Sequence, residues 1–202
     1  MCFGGPDPAA TLRNMLAAQR ARPAQVRATH TMERGALGWL SRPEEAPYSF
    51  LGQTAEGSVL AIAGLPISSA ETAERLLDGV LHMPRPEERL TALDGAFAAV
   101  LWDARRQRLI VVTDFLGLQP LYLAQDEGRL LIASEIKGVA AAMSKVEIDP
   151  EGWGAFVSMG HFLGDTTSAA AIRRVPAASI LVFDAAGRKV EERQYWRWPE
   201  VS

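Results

Sequence analysis

Two strand–turn–strand segments in the second half of the chain constrain its fold most. Residues 97–103 and 108–113 are apolar, β-prone runs separated by a polar segment, and residues 121–124 and 130–134 follow the same pattern. The connecting segments, 104–107 and 125–128, have the length and chemistry of hairpin turns, which join neighbouring antiparallel strands. We therefore predict an antiparallel meander at the centre of the chain.

The rest of the chain alternates between helical and strand patterns. Residues 9–20 and 69–81 have helical signatures, and residues 149–159 begin with an Asp-Pro pair that suits a helix start. Strands are predicted at 58–64 and, as two or three strands, within 172–196. Between 21 and 48 we predict loops around one short strand. No repeat or linker divides the chain, so residues 1–202 are predicted to form one α+β domain.

Composition excludes several classes of function. The net charge is -3 and the 21 Lys and Arg residues are dispersed, so nucleic acid is not an expected partner. No apolar run reaches the roughly 18 residues that span a bilayer, and we expect no membrane contact. The single cysteine and three scattered histidines have no metal-ligand spacing, so no metal is expected. The lone cysteine and the absence of a leader pattern predict a cytoplasmic protein.

Three ordered blocks within residues 93–137 are more specific than a strand pattern. They read LDGAFAAVLWD at 93–103, VTDFLGLQPLY at 112–122 and IASEIK at 132–137. Together they resemble the class II glutamine amidotransferase domain of the asparagine-synthetase family, and the segments 164–167, 172–176 and 194–196 resemble its closing part. As side chains alone, these blocks indicate core and turn residues, with Glu135 and Lys137 as a solvated pair.

The resemblance implies a fold and a function. The fold would be a four-layer αββα sandwich of two antiparallel sheets, of the N-terminal-nucleophile hydrolase type. The domain would be the N-terminal half of a longer ATP-dependent amide ligase, with glutaminase activity weak or lost. The alternatives are a pseudo-glutaminase scaffold, as in lasso-peptide cyclases (lasso peptide biosynthesis) and β-lactam synthetases, and a stand-alone docking module.

The same resemblance implies partners and cofactors. No Ser-Gly-Gly-x-Asp-Ser loop for ATP is present, so this domain needs no cofactor, and ATP and magnesium belong to an ATP-pyrophosphatase synthetase domain in cis or in trans. Glutamine is the expected substrate if the domain is active. A precursor peptide and a second copy of the chain, forming a homodimer, are further candidate partners.

Cys2 is the residue that the resemblance makes the nucleophile. Members of the family attack glutamine with an N-terminal cysteine thiolate while its α-amino group relays the proton, which requires removal of Met1. The alternative is that Cys2 is a small residue at a frayed end. The glycines and prolines between Gly4 and Pro8 argue against a full first strand and predict weaker positioning of Cys2.

The predicted glutamine pocket departs from the family at several positions. Where the family has Asn-Gly-Glu for the oxyanion and the substrate, this chain has Ala63, Gly64 and Leu65, so only the Gly64 backbone donor is retained. Arg42 is the candidate for the substrate carboxylate, or else a solvated loop arginine. Glu71 is the candidate for the amino group, where Ala70 replaces the family's aspartate, although the first turn of a helix explains an acidic residue equally well.

Overall fold

The computed structural model describes residues 1–19, 26–41, 50–66 and 73–199. They form two compact units, Met1–Glu44 with Pro120–Pro176 and Glu45–Gln119 with Ala177–Ser202. Each unit contains one six-stranded antiparallel sheet and helices. In chain order the elements are β1 (Cys2–Phe3), α1 (Pro8–Gln19), β2 (Val26–Met32), β3 (Gly35–Ser41), β4 (Phe50–Gln53), β5 (Val59–Pro66), α2 (Ala73–Leu81), α3 (Pro86–Thr91), β6 (Gly95–Asp103), β7 (Arg108–Thr113), β8 (Tyr122–Asp126), β9 (Arg129–Ala133), α4 (Ile136–Ala140), α5 (Pro150–Met159), β10 (Arg173–Arg174), β11 (Ser179–Phe183) and β12 (Lys189–Gln194).

The first unit is built on a sheet with strand order β10-β8-β9-β1-β3-β2. Its apolar cluster joins Met15 of α1 and Val139 of α4 to Leu131 of β9 and to Ile172. Gly138 of α4 lies against Gln19 of α1, where a Cβ atom would be 2.5 Å from the Gln19 amide nitrogen. The two helices therefore pack closely together beside this sheet.

The second unit is built on a sheet with strand order β12-β11-β7-β6-β5-β4. Leu77 of α2 and Leu90 of α3 pack in one buried cluster with Phe97 of β6 and Ile180 of β11. Since β6 and β7 contribute residues that are buried along most of their length, their sequences lack polar alternation and read as continuous apolar runs.

Hairpins β6–β7 and β8–β9 are antiparallel, as predicted, but the predicted continuous meander is wrong. β7 belongs to the second sheet and β8 to the first. Turn chemistry is local: Glu127 and Gly128 have φ values of 48° and 75°, which fix the β8–β9 hairpin and nothing beyond it. The longer connection between β7 and β8 is not a hairpin turn and leads to the other sheet.

β2, β4, α3 and α4 were missed, and three of them have a clear physical reason. β2 lies in a polar segment predicted to be loop, but it pairs with β3 along its entire length. No helix is predicted at residues 86–91, yet Pro86 occupies the first turn of α3, where proline is tolerated and Glu87 and Glu88 favour a helix start. The five-residue α4 is too short for a helical period to be visible.

The helices predicted at 9–20 and 149–159 are confirmed as α1 and α5 within the described residues. The Asp149 side chain accepts hydrogen bonds from the backbone N–H groups of Glu151 and Gly152, so it caps α5 as its sequence position predicted. Within the described ranges no helix has the length and apolar content needed to cross a membrane.

Candidate functional site

Cys2 lies in a short strand that is paired on both sides. β1 is antiparallel to β3 and to β9, with Cys2 opposite Ala36 and Leu131. Met1 N–H donates to the Ile132 carbonyl at 2.7 Å, and Ile132 N–H donates to the Met1 carbonyl at 2.9 Å. The backbone around Cys2 is therefore held more firmly than the two-residue length of the strand suggests.

Gly4 and Gly5 end this strand. Both have φ of 81°, and a Cβ atom on Gly4 would lie 2.9 Å from the Gly128 carbonyl oxygen. A Cβ atom on Gly5 would lie 2.8 Å from the Arg129 side chain. Both positions favour glycine, because φ is positive there and the chain passes close to the β8–β9 hairpin. The prediction that β1 would be short is confirmed, whereas the expected weak positioning of Cys2 is not observed.

The Cys2 thiol is enclosed by apolar side chains. Cys2 has no exposed surface, and it belongs to the cluster that contains Met15, Leu131 and Val139. Its Sγ atom lies 3.9 Å from the Gly4 carbonyl oxygen. Cys2 is thus a core residue of the first unit, and the frayed-end alternative is wrong.

The environment of the thiol disfavours its charged form. Burial raises the pKa of the Cys2 thiol, and the amino terminus, a hydrogen bond from Thr11 and the positive charge of Arg129 oppose this shift without cancelling it. A thiolate is the nucleophilic form of cysteine, and reactive cysteines lie in electropositive, partly exposed surroundings. Cys2 is not exposed while Met1 is in place, and the nearby positive charges do not outweigh its burial.

The amino terminus is itself buried. Burial lowers the pKa of the Met1 α-ammonium group to about 5, so the amine is neutral at pH 7. Because Met1 and Ile132 exchange both hydrogen bonds, alternation along an antiparallel ladder directs the Cys2 N–H to the other side, toward Ala36. Removal of Met1 would turn the Cys2 backbone nitrogen into a free α-amine on the side of Ala36, close to the Cys2 thiol.

Burial of the Met1 amine predicts a pH dependence of stability. The amine has a pKa of 8.0 when unperturbed and about 5 in the folded chain, so the unfolded state binds more protons between these values. The free energy of unfolding should therefore fall by up to about 4 kcal/mol as the pH falls from 8 to 5. Urea unfolding of protein that retains Met1 measures this slope. Nα-acetylated protein is the control and should show a shallower slope.

Gly64 lies in β5 of the second unit, in a conformation that only glycine adopts easily. Its φ is 105°, and a Cβ atom would lie 2.2 Å from the Ala96 carbonyl oxygen. Gly64 is opposite Phe97, whose N–H and carbonyl groups both bond to Asp114 on the other side of β6. The Gly64–Phe97 pair is therefore of the non-hydrogen-bonded kind, and the Gly64 N–H is directed away from β6.

The direction of the Gly64 N–H is compatible with the predicted donor role, which the described residues do not test. Pairing between β4 and β5 ends at Ile62, so no described strand pairs with Gly64 on the side of its N–H. The neighbouring Ala63 is opposite Ala98 and brings only a methyl group. Ala63 carries no side-chain amide, and the role of Gly64 as an oxyanion donor stays a prediction.

Asp114 is a buried carboxylate whose role sequence reasoning missed. It is fully buried and accepts four backbone hydrogen bonds of 3.0 to 3.2 Å. The donors are the N–H groups of Phe97, Leu116, Leu118 and Gln119. Asp114 therefore fixes both the loop after β7 and the strand segment opposite Gly64. The signal for it was the aspartate that opens the D-x-x-G-x-Q-P motif.

The remaining predicted site residues have separate outcomes. Arg42, Glu71 and Ala70 lie outside the described residues and stay predictions. Leu65 is part of β5, opposite Ala96. Lys137 and Glu135 form a half-exposed ion pair at 2.8 Å, the solvated pair that the sequence suggested. In the described parts of the chain, His, Cys, Asp and Glu side chains form no group of three that could hold a metal ion.

Solved structures share this fold over most of the chain. The glutamine phosphoribosylpyrophosphate amidotransferase from B. subtilis, solved with ADP and GMP, matches with a TM-score of 0.62 at 14% identity, covering 96% of this chain and 48% of that one. A second structure, described as the allosteric regulatory enzyme of purine biosynthesis, matches with a TM-score of 0.64 at 14% identity and the same coverage. The two antiparallel sheets with helices and this likeness define the class, an αββα fold of the N-terminal-nucleophile type.

The family follows from the sequence comparison. A family model described as a glutamine amidotransferase domain matches residues 59–196, and the chain belongs to this family. An asparagine synthetase B [glutamine-hydrolyzing] of Escherichia coli is 34% identical over 73 residues, 36% of this chain and 13% of the relative. An asparagine synthetase [glutamine-hydrolyzing] of Bacillus subtilis is 28% identical over 112 residues, 54% of this chain and 18% of the relative.

An amidase of Penicillium rubens is 48% identical over a shorter stretch of 52 residues, 26% of this chain and 8% of the relative. The chain thus spans less than a fifth of the length of these curated relatives. The predicted class II glutamine amidotransferase relationship is confirmed. The family match begins at residue 59, so it does not include Cys2.

Proposed function

We propose that this domain serves an ATP-dependent amide ligase of the asparagine-synthetase type and that its own glutaminase activity is weak or lost. The observation that carries the proposal is the Cys2 thiol, which is fully buried in an apolar cluster beside α1 and α4. A nucleophile needs a thiolate and access to its substrate, and burial works against both.

The oxyanion site supports the same conclusion. In a tetrahedral intermediate, negative charge develops on the former amide oxygen and is stabilised by preorganised donors. Ala63 replaces one of the two donors that the family uses, and loss of one such donor lowers turnover by roughly 10²- to 10³-fold. Gly64 retains the other, so residual activity is compatible with the arrangement.

The chemistry of an active form would need two changes from the described state. Removal of Met1 would free the Cys2 α-amine, which could accept the thiol proton, and the side chain would have to reach glutamine. The sulfur would then attack the glutamine amide carbon, ammonia would leave with a proton from the amine, and water would hydrolyse the thioester. ATP and magnesium would act in the synthetase domain, which we propose as the partner of this domain in the cytoplasm.

A scaffold without glutaminase activity is the second candidate. It resembles the front domains of lasso-peptide cyclases and β-lactam synthetases, where the synthetase domain uses an amine of its substrate, such as a precursor peptide, and needs no ammonia. The methyl side chain of Ala63 favours this candidate. Supplying the cognate synthetase domain with glutamine, with ammonia or with its amine substrate alone would separate the two functions.

Release of ammonia from glutamine tests the primary proposal. We expect the rate of the wild-type chain to equal that of Cys2→Ala, or to exceed it only slightly, in protein whose Met1 content is known from its intact mass. A glutamine-hydrolysing asparagine synthetase serves as the positive control. Robust ammonia release that is lost in Cys2→Ala would contradict the proposal.

A further inference from the structure

Arg129 places a positive charge beside the Cys2 thiol. It lies on β9 two residues before Leu131, which is opposite Cys2 and belongs to the same apolar cluster. Side chains two residues apart on a strand point to the same face of the sheet, and a diagonal cross-strand neighbour is within reach of a long side chain. A Cβ atom on Gly5 would lie 2.8 Å from the Arg129 side chain, so the segment after β1 also packs against it. Arg129 therefore lies on the Cys2 face of the sheet, near the end of β1.

The guanidinium group of Arg129 is held in place by its neighbours. It forms an ion pair with the Asp126 carboxylate, and its Nε–H donates to the Asp126 carbonyl at 3.3 Å. The Asp126 carboxylate also accepts the Ser144 N–H at 3.0 Å and the Ser144 hydroxyl at 2.8 Å. Because the Arg129 side chain is only 16% exposed, salt screens its charge weakly. Asp126 and the exposed Glu127 balance part of this charge, and the remainder lowers the pKa of the Cys2 thiol against the effect of burial.

Thr11 faces the same thiol from α1. It lies one helical turn before Met15, on the same side of the helix, and Met15 is packed in the Cys2 cluster. The Thr11 hydroxyl donates to the Asp7 carbonyl at 3.0 Å, but that carbonyl also accepts the Thr11 backbone N–H at 3.1 Å. The Asp7 carbonyl therefore stays paired if the Thr11 hydroxyl turns its proton toward the Cys2 sulfur.

We propose that Arg129 and Thr11 are positioning residues of the candidate nucleophile, and that they stabilise the charged form of the Cys2 sulfur. When the thiol passes its proton to water or to a neighbouring amine, it no longer donates toward the Gly4 carbonyl, 3.9 Å away. The Thr11 hydroxyl then donates to the sulfur, and the Arg129 charge attracts it. The inference rests on the proposed function in one respect, which is that Cys2 is the residue that would act on glutamine.

The other elements around Cys2 bring few groups that titrate. Among the described residues of its cluster, Tyr122 of β8 is the one other titratable side chain, and those from α4 and residues 169–172 are apolar. The Met1 amine has a pKa of about 5 and is neutral in the alkaline range. In protein that retains Met1, an alkaline titration at this place therefore reports on the Cys2 thiol, and Tyr122→Phe identifies any part that comes from the phenol.

A titration of the thiol tests the role of Arg129. Cys2 is the single cysteine, so labelling cysteine with carbon-13 at its β-carbon gives one NMR resonance that needs no access to the sulfur. In Arg129→Gln this resonance should begin to move at higher pH than in the wild type, since the attracting charge is gone. Arg129→Lys keeps a positive charge but loses the guanidinium geometry, and it should titrate closer to the wild type. Arg173→Gln is the matched control: Arg173 is another arginine of the first unit, paired with Asp149 at 3.5 Å, and its loss should leave the titration unchanged.

Two variants of Thr11 separate its hydroxyl from its packing. Thr11→Val keeps the shape without the hydroxyl and should titrate at higher pH, whereas Thr11→Ser keeps the hydroxyl and should stay close to the wild type. An onset that is the same in the wild type, Arg129→Gln and Thr11→Val would overturn the inference. Equal shifts in Arg129→Gln and Arg129→Lys would overturn it as well, because packing rather than charge would then be the cause.

The titration and the glutaminase assay fail independently. A wild-type resonance that does not move below the pH of alkaline unfolding would overturn the roles of Arg129 and Thr11 and leave the proposed weak or lost glutaminase standing. Robust, Cys2-dependent release of ammonia would contradict the proposed function, and the order of the titrations would still support the two positioning residues.

Discussion

Asp114→Asn should destabilise the protein by at least about 3 kcal/mol. The carboxylate is fully buried and accepts four backbone N–H groups, and hydrogen bonds to a charged acceptor are among the strongest in proteins. An asparagine side chain has one acceptor oxygen, which can accept from two of these donors. Its NH₂ group would then face the other two N–H groups and could not accept from them. Chemical denaturation followed by circular dichroism measures the loss.

Asp184→Asn is the matched control for this variant. Asp184 also accepts backbone N–H groups, from Ala186 and Arg188, but it does so in an exposed turn where water can replace the lost acceptor. Its denaturation midpoint should stay close to that of the wild type. Equal and small shifts for Asp114→Asn and Asp184→Asn would show that the Asp114 carboxylate does not organise the β6–β7 region.

Gly64→Ala should destabilise the protein by more than about 3 kcal/mol, because strain and steric overlap combine. The residue has φ of 105°, and its Cβ would lie 2.2 Å from a backbone oxygen of the neighbouring strand, which cannot move like a side chain. The measurement is urea unfolding at constant pH.

Gly57→Ala separates the two causes. Gly57 has a similar φ of 86° but has nothing within 4 Å of its Cβ position. Only the conformational strain of about 1 kcal/mol is therefore expected there. Equal losses of stability in Gly64→Ala and Gly57→Ala would show that β5 and β6 do not approach each other closely at Gly64.

Local sequence patterns predicted many of the helices and strands. Elements that depend on pairing with another strand were harder to predict. The β6 and β7 strands were found because apolar runs and a short turn are visible along the chain. β2 was missed because what makes residues 26–32 a strand is their pairing with β3, which a polar local sequence does not show. α3 was missed because proline both ends and begins helices, and only the acidic residues after Pro86 indicate which.

The sequence predicted which residues to consider as site residues, but it did not predict how buried they are. Cys2 and Gly64 were singled out by the resemblance, and the structure gives both a defined backbone geometry. The enclosure of Cys2 by Met15, Leu131 and Val139 comes from three separate elements, so no short motif could reveal it. The Asp114 network depends on donors at residues 97, 116, 118 and 119, which only the folded loop brings to one carboxylate.

The reactivity of the single cysteine tests the burial of the nucleophile most directly. Cys2 is the only thiol in the chain, so labelling with a thiol reagent, followed by intact mass, reports on this residue alone. We predict that the folded protein stays unlabelled while protein unfolded in urea is labelled completely. Labelling of the folded protein at the rate of a free thiol, or covalent trapping by an electrophilic glutamine analogue, would show an accessible nucleophile and contradict a weak or lost glutaminase.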